Sequence, residues 1–136
     1  MTRALVWVTP AGWEACIDAA RALDADVTLL QVSDTGPEPG GLLGRHRPPR
    51  APVAADDELL EAAAERLGRP AERLSPPGRP EHTVVEAAAE FDLLIVSRTN
   101  LHPGPHSLGH ATRFVVDHAP CTLLLVWPGT GGPPPV

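Results

Sequence analysis

Apolar residues along this chain fall into short dense runs separated by stretches of helical spacing. Residues 4–8 (ALVWV) form a run of strand length, broken by Thr9-Pro10-Ala11-Gly12. Trp13, Cys16, Ile17, Ala20 and Leu23 then recur on one helical face, with Glu14, Asp18 and Arg21 opposite, and the helix ends near Asp24. Residues 26–32 (DVTLLQV) read as a second strand, completing a strand–helix–strand unit. Residues 34–53 are dense in Pro and Gly, and the pattern predicts a long irregular loop there, neither helix nor interior strand.

The second half repeats the alternation. Residues 56–67 (DDELLEAAAERL) predict a helix with acidic residues in its first turn, an inner face of Leu59, Leu60, Ala63 and Leu67, and Gly68 beyond its last turn. Residues 69–75 (RPAERLS) have the weakest pattern and are expected by position to form a third strand at a sheet edge, where Pro70 is tolerated. After the turn at Pro76-Pro77-Gly78, a helix is expected over residues 80–90, with Pro80 near its first turn and Val84, Val85 and Ala88 inward. Residues 93–96, introduced by Phe91-Asp92, and residues 123–127 are nearly all apolar, as in strands covered by helices on both faces of a parallel sheet. A Pro/Gly/His loop and a short helical pattern join them. The fold class is therefore α/β, a doubly wound five-stranded parallel sheet with helices on both faces. A ligand site in such a sheet lies at the carboxyl ends of the strands, here the side of residues 97–109.

Residues 108–126 (LGHATRFVVDHAPCTLLLV) resemble the closing segment of the universal stress protein family, most specifically at His118-Ala119-Pro120-Cys121, and residues 26–32 are similar to the family's second strand. The resemblance implies a Rossmann-like sheet of the adenine nucleotide alpha hydrolase type, in the order 3-2-1-4-5, with Thr9 and Ser97 side by side where the order reverses. It also implies a site. Nucleotide-binding members close strand one with an acidic residue and follow strand four with G-x2-G-x9-G-[ST], whose glycines let backbone N–H groups approach phosphate at a helix N-terminus. Here the acid falls on Thr9, the first two glycines on Ser97 and Asn100, and the third is kept as Gly109. The following hydroxyl residue is replaced by His110, Thr112 restores a hydroxyl one step on, and Val32 matches the position whose backbone meets adenine.

Composition narrows the choices. One domain over residues 1–128 is expected, with a mobile tail at 129–136. The formal net charge of -6 argues against nucleic acid as a partner. All eleven basic residues are Arg, so a Walker A loop, a Schiff-base lysine and a lysine base are excluded. No apolar run has membrane-spanning length, the opening MTRALVWVTP reads as a strand rather than a signal peptide, and a cytoplasmic protein is expected. Cys16 and Cys121 are expected to be small buried side chains. Arg45, His46, Arg47 and Arg50 make a basic cluster in the long loop, read as solvated. His102, His106 and His110 are spaced by four, but Pro103, Gly104 and Pro105 prevent one continuous helix, and no metal is expected. With Arg98, these histidines are candidate donors to an anion. Asp117-His118 reads as helix C-terminal chemistry rather than a catalytic dyad, and no enzyme is expected.

Two readings follow. The first is a regulatory module acting through partners and through homodimerisation by its last strand, with weak or absent ATP binding. The alternative is a sensor of ATP or another adenosine ligand, using Thr9, Val32, Ser97, Asn100, Gly109, His110 and Thr112.

Overall fold

The computed structural model describes residues 2–32, 50–98 and 108–128. Five strands, β1 (Arg3–Trp7), β2 (Asp26–Leu30), β3 (Glu72–Leu74), β4 (Leu93–Ser97) and β5 (Thr122–Val126), form one sheet in the order β3-β2-β1-β4-β5. Every pairing is parallel. The helices among the described residues are α1 (Trp13–Arg21), α2 (Arg50–Leu67), α3 (Pro80–Ala88) and α4 (His110–His118). The strand order expected from the family resemblance is the order observed.

The two-residue side-chain period of the strands divides the core. Val6, Val8, Leu29 and Ile95 pack with Cys16, Ile17 and Ala20 of α1 and Leu60, Ala63 and Leu67 of α2. Leu5, Trp7, Leu30, Leu94 and Val96 face the other way, onto Val84 and Ala88 of α3 and Val115 of α4. Leu5, Ile17, Leu29, Leu30, Leu94 and Ile95 are fully buried, each stabilising the fold by about 1.5–3 kcal/mol relative to exposure. The continuous apolar runs in the sequence are the consequence of this covering on both faces. Central β1 holds the register, with Val6 opposite Leu29 on one side and Ile95 on the other.

Several boundaries differ from the pattern in the sequence. Helix α2 starts at Arg50, so residues 50–53 of the expected loop are helical. Pro52 lies in its first turn, where the backbone N–H has no intrahelical partner and proline removes nothing. Strand β3 is only three residues long, because pairing to β2 runs from Thr28↔Glu72 to Leu30↔Leu74 and Pro70 lies outside it. The rest of the long loop, the tail beyond residue 128, Asn100, His102 and His106 lie outside the described residues.

Two arginines tie α1 and the turn after it to the end of α2 and the residues that follow. Arg69 Nη2 donates to the carbonyl of Ala20 (3.2 Å) at the end of α1, which also accepts from the Leu23 N–H, and to those of Leu23 (3.0 Å) and Ala25 (3.1 Å) in the turn leading to β2. Arg66 forms a two-pronged ion pair with Asp18, 2.9 Å on each arm, and holds the Asp18 carboxyl below its usual range, mainly by this hydrogen bond.

Candidate functional site: a cleft at the carboxyl ends of β1, β2 and β4

The chain order reverses at β1, which has β2 on one side and β4 on the other, and the helices that follow β1 and β4, α1 and α4, pack on opposite faces of the sheet. Such a divergence leaves a crevice beyond the strand ends. Here it is a cleft of about 350 Å³. Thr9, Val32, Ser97 and Thr112, four of the residues expected at a site, line it together. Trp7, Val8, Pro80 and Ala111 supply apolar wall, and Gln31, Arg98 and the Pro10-Ala11 turn complete the lining.

The turn after β1 is shaped by one carbonyl. Thr9 Oγ1 donates to the Ala11 carbonyl oxygen at 2.8 Å, and Ser97 Oγ, arriving from β4, donates to the same oxygen at 3.2 Å. A carbonyl has two lone pairs and accepts both. Each hydroxyl has thereby used its proton on the protein, and toward the cleft it offers an acceptor. Gly12 makes this convergence possible. Its φ is +92°, and a Cβ at that position would stand 2.7 Å from Ser97 Cβ, with Ser97 Oγ closer still. Ser97 therefore lies where the resemblance requires a phosphate-approaching glycine, but what it approaches is the glycine of the other loop.

On the opposite wall Gln31 is the polar residue between Leu30 and Val32. It is 8% exposed, and its buried Oε1 has no hydrogen-bond partner among the described residues. The sequence reading passed over it. One amide at the carboxyl end of an otherwise apolar run was the available signal. Arg98 lines the cleft beyond β4, its backbone N–H donating to the Val126 carbonyl at 2.7 Å and its guanidinium lying 4.4 Å from the Trp127 ring centroid, a cation–π contact.

The remaining expected residues divide. Gly109 is the N-cap of α4, with extended backbone and no side-chain cap, so the start of this helix presents backbone donors. Ala111 and Thr112 of its first turn reach the cleft. His110 is exposed and is not among the residues lining it. Asn100 lies outside the described residues.

Other groups that suggested chemistry in the sequence stand elsewhere. His118 ends α4, where its Nδ1 is 2.8 Å from the Phe114 carbonyl oxygen and its ring stacks on Phe114 at 4.0 Å, so it belongs to the helix terminus. Cys16 is fully buried, and burial pushes its thiol up to about 12. Cys121 is only half-buried, because it precedes an edge strand. Among the described residues no group of three His, Cys, Asp or Glu side chains is placed to hold a metal ion, and no helix is long and apolar enough to cross a membrane.

Comparison with known proteins bears on this geometry. The universal stress protein family profile matches residues 11–126. The chain belongs to the universal stress protein family. Among solved structures it is similar to the universal stress protein UspA of Lactobacillus plantarum, at 26% identity and a TM-score of 0.63, over 91% of this chain and 96% of that one. A universal stress protein in complex with cAMP matches at 20% identity and a TM-score of 0.65, over 94% of this chain and 98% of that one. An Arabidopsis thaliana family protein with AMP bound matches at 18% identity and a TM-score of 0.65, over 96% and 94%. The last two likenesses are of fold. Among curated proteins none matches the sequence significantly.

Proposed function

We propose that this universal stress protein domain is a non-catalytic regulatory module whose cleft takes an adenosine-type ligand. The observation that carries this reading is the assembly of Thr9, Val32, Ser97 and Thr112 around one 350 Å³ cleft at the point where the strand order reverses. Two relatives of the same fold carry cAMP and AMP in their structures. The loss of the strand-one acid and of two loop glycines argues for weak binding, on the order of 10 μM to 1 mM. Calorimetric titration with AMP and with ATP, with and without magnesium, after removal of any co-purifying ligand, tests it. Heat saturating in that range supports the reading, and no heat up to about 1 mM refutes it.

A second property rests on β5. Leu123, Leu124, Leu125 and Val126 are only half-buried on a strand with a free edge among the described residues, and an apolar edge of this kind favours cover by another chain. We infer pairing with the same strand of a second copy. Sedimentation should then give a dimer for the wild type and a monomer for Leu124→Glu, and a Leu124→Glu dimer would refute the pairing.

A further inference from the structure

Most polar atoms at the cleft are committed. Thr9 and Ser97 have given their protons to Ala11, and the guanidinium of Arg98 lies over Trp127. Gln31 is different. More than nine-tenths of it is buried, it lines the cleft beside Val32, and its Oε1 has no partner among the described residues. Buried polar groups in folded proteins are nearly always paired, because leaving one unpaired costs the full desolvation of that group. A leucine of similar size would fill the same space at no such cost. An amide at this position with no partner among the described residues is placed to take one from a ligand in the cleft.

We propose that Gln31 is the specificity-determining residue of the cleft, its side-chain carbonyl accepting a hydrogen bond from the ligand. This rests on the adenosine-ligand reading above and deepens it. Three oxygens at the cleft, Thr9 Oγ1, Ser97 Oγ and Gln31 Oε1, then present as acceptors, the first two because their protons are already placed. The matching ligand surface is rich in donors. In an adenosine-type ligand those donors are the exocyclic amine and the ribose hydroxyls. Thr9 and Ser97 meet on one carbonyl and so suit a neighbouring pair of hydroxyls, which leaves the amine to the more deeply buried Gln31. The first turn of α4, whose Ala111 and Thr112 line the cleft, supplies backbone donors there.

The test compares wild type and Gln31→Leu, each titrated calorimetrically with AMP and with inosine monophosphate, in which a carbonyl replaces the amine. Wild type is expected to bind AMP about five- to tenfold more tightly than inosine monophosphate, the range of one neutral hydrogen bond. Gln31→Leu should lose that preference by weakening AMP alone. Its melting temperature should equal or exceed that of wild type, since an unpaired polar group has been removed. Equal AMP affinity in the two proteins overturns the proposal, as does a Gln31→Leu melting temperature several degrees below wild type, which would make the amide structural. Wild type that binds AMP without preferring it to inosine monophosphate overturns the assignment to Gln31 and leaves the adenosine-ligand reading standing. Wild type that binds neither compound removes both.

Discussion

Substitution of Gly12 should be far more damaging than its place in a surface turn suggests, and the cost divides into two measurable parts. The first is conformational. At φ +92° an alanine pays about 1–2 kcal/mol for a left-handed backbone. The second is steric, because the new Cβ would meet Ser97 Cβ at 2.7 Å and Pro128 Cβ at 3.1 Å, with Ser97 Oγ nearer than either. Crowding a packed site in this way costs about 1–3 kcal/mol, for a total of about 2–5 kcal/mol. Gly68 supplies the control. Its φ is +76°, and a Cβ there meets nothing within 4 Å, so Gly68→Ala measures the conformational part with no clash. Urea unfolding followed by circular dichroism gives both values, provided the slope with denaturant is unchanged. Gly12→Ala is expected to exceed Gly68→Ala by about 1–3 kcal/mol. In a Ser97→Gly background most of that excess should vanish, giving a coupling energy of about 1 kcal/mol or more. Equal costs for the two glycine variants, within about 0.5 kcal/mol, would refute the contact between the β1–α1 turn and Ser97.

Two further outcomes are expected. At pH 8 on the order of 10⁻⁴ of Cys16 is thiolate, given a thiol pushed up to about 12, so native protein should react with a chromogenic disulfide first at half-buried Cys121 and at Cys16 only on unfolding; equal rates at the two thiols would contradict this. Because Asp18 is held below its usual value of 3.8, its ion pair with Arg66 contributes stability above that value and loses it as pH falls through the lower folded value. Asp18→Asn should therefore flatten a small part of the acid limb below about pH 4, measured as the urea midpoint against pH, and an unchanged limb would contradict the pairing.

The sheet was legible in the sequence because strands buried on both faces leave dense apolar runs, and residues 4–8, 26–32 and 93–96 show them plainly. β3 was harder. Its residues Glu72 and Arg73 are exposed at the sheet edge, so burial writes little pattern there. The start of α2 was hidden by Pro52, which breaks a helix interior but not a first turn. At the cleft, the family resemblance pointed to Thr9, Val32, Ser97 and Thr112, and these line one cleft. What the hydroxyls do was not readable, since the Ala11 carbonyl that takes both protons lies 86 residues from Ser97. Gln31 escaped notice because a lone amide in an apolar strand has no spacing to announce it.

The three carbonyls gathered by Arg69 bear on the order in which this chain acquires structure. Ala20, Leu23 and Ala25 are made 44–49 residues before the side chain that holds them. During synthesis, the turn from α1 to β2 is therefore complete in sequence yet lacks these three bonds until α2 and the residue after Gly68 have followed. The Leu23 and Ala25 carbonyls lack this donor until then, and afterwards the turn that carries them is tied to a residue that leads directly into β3. The turn after α1 and the entry to the edge strand are thereby expected to open together.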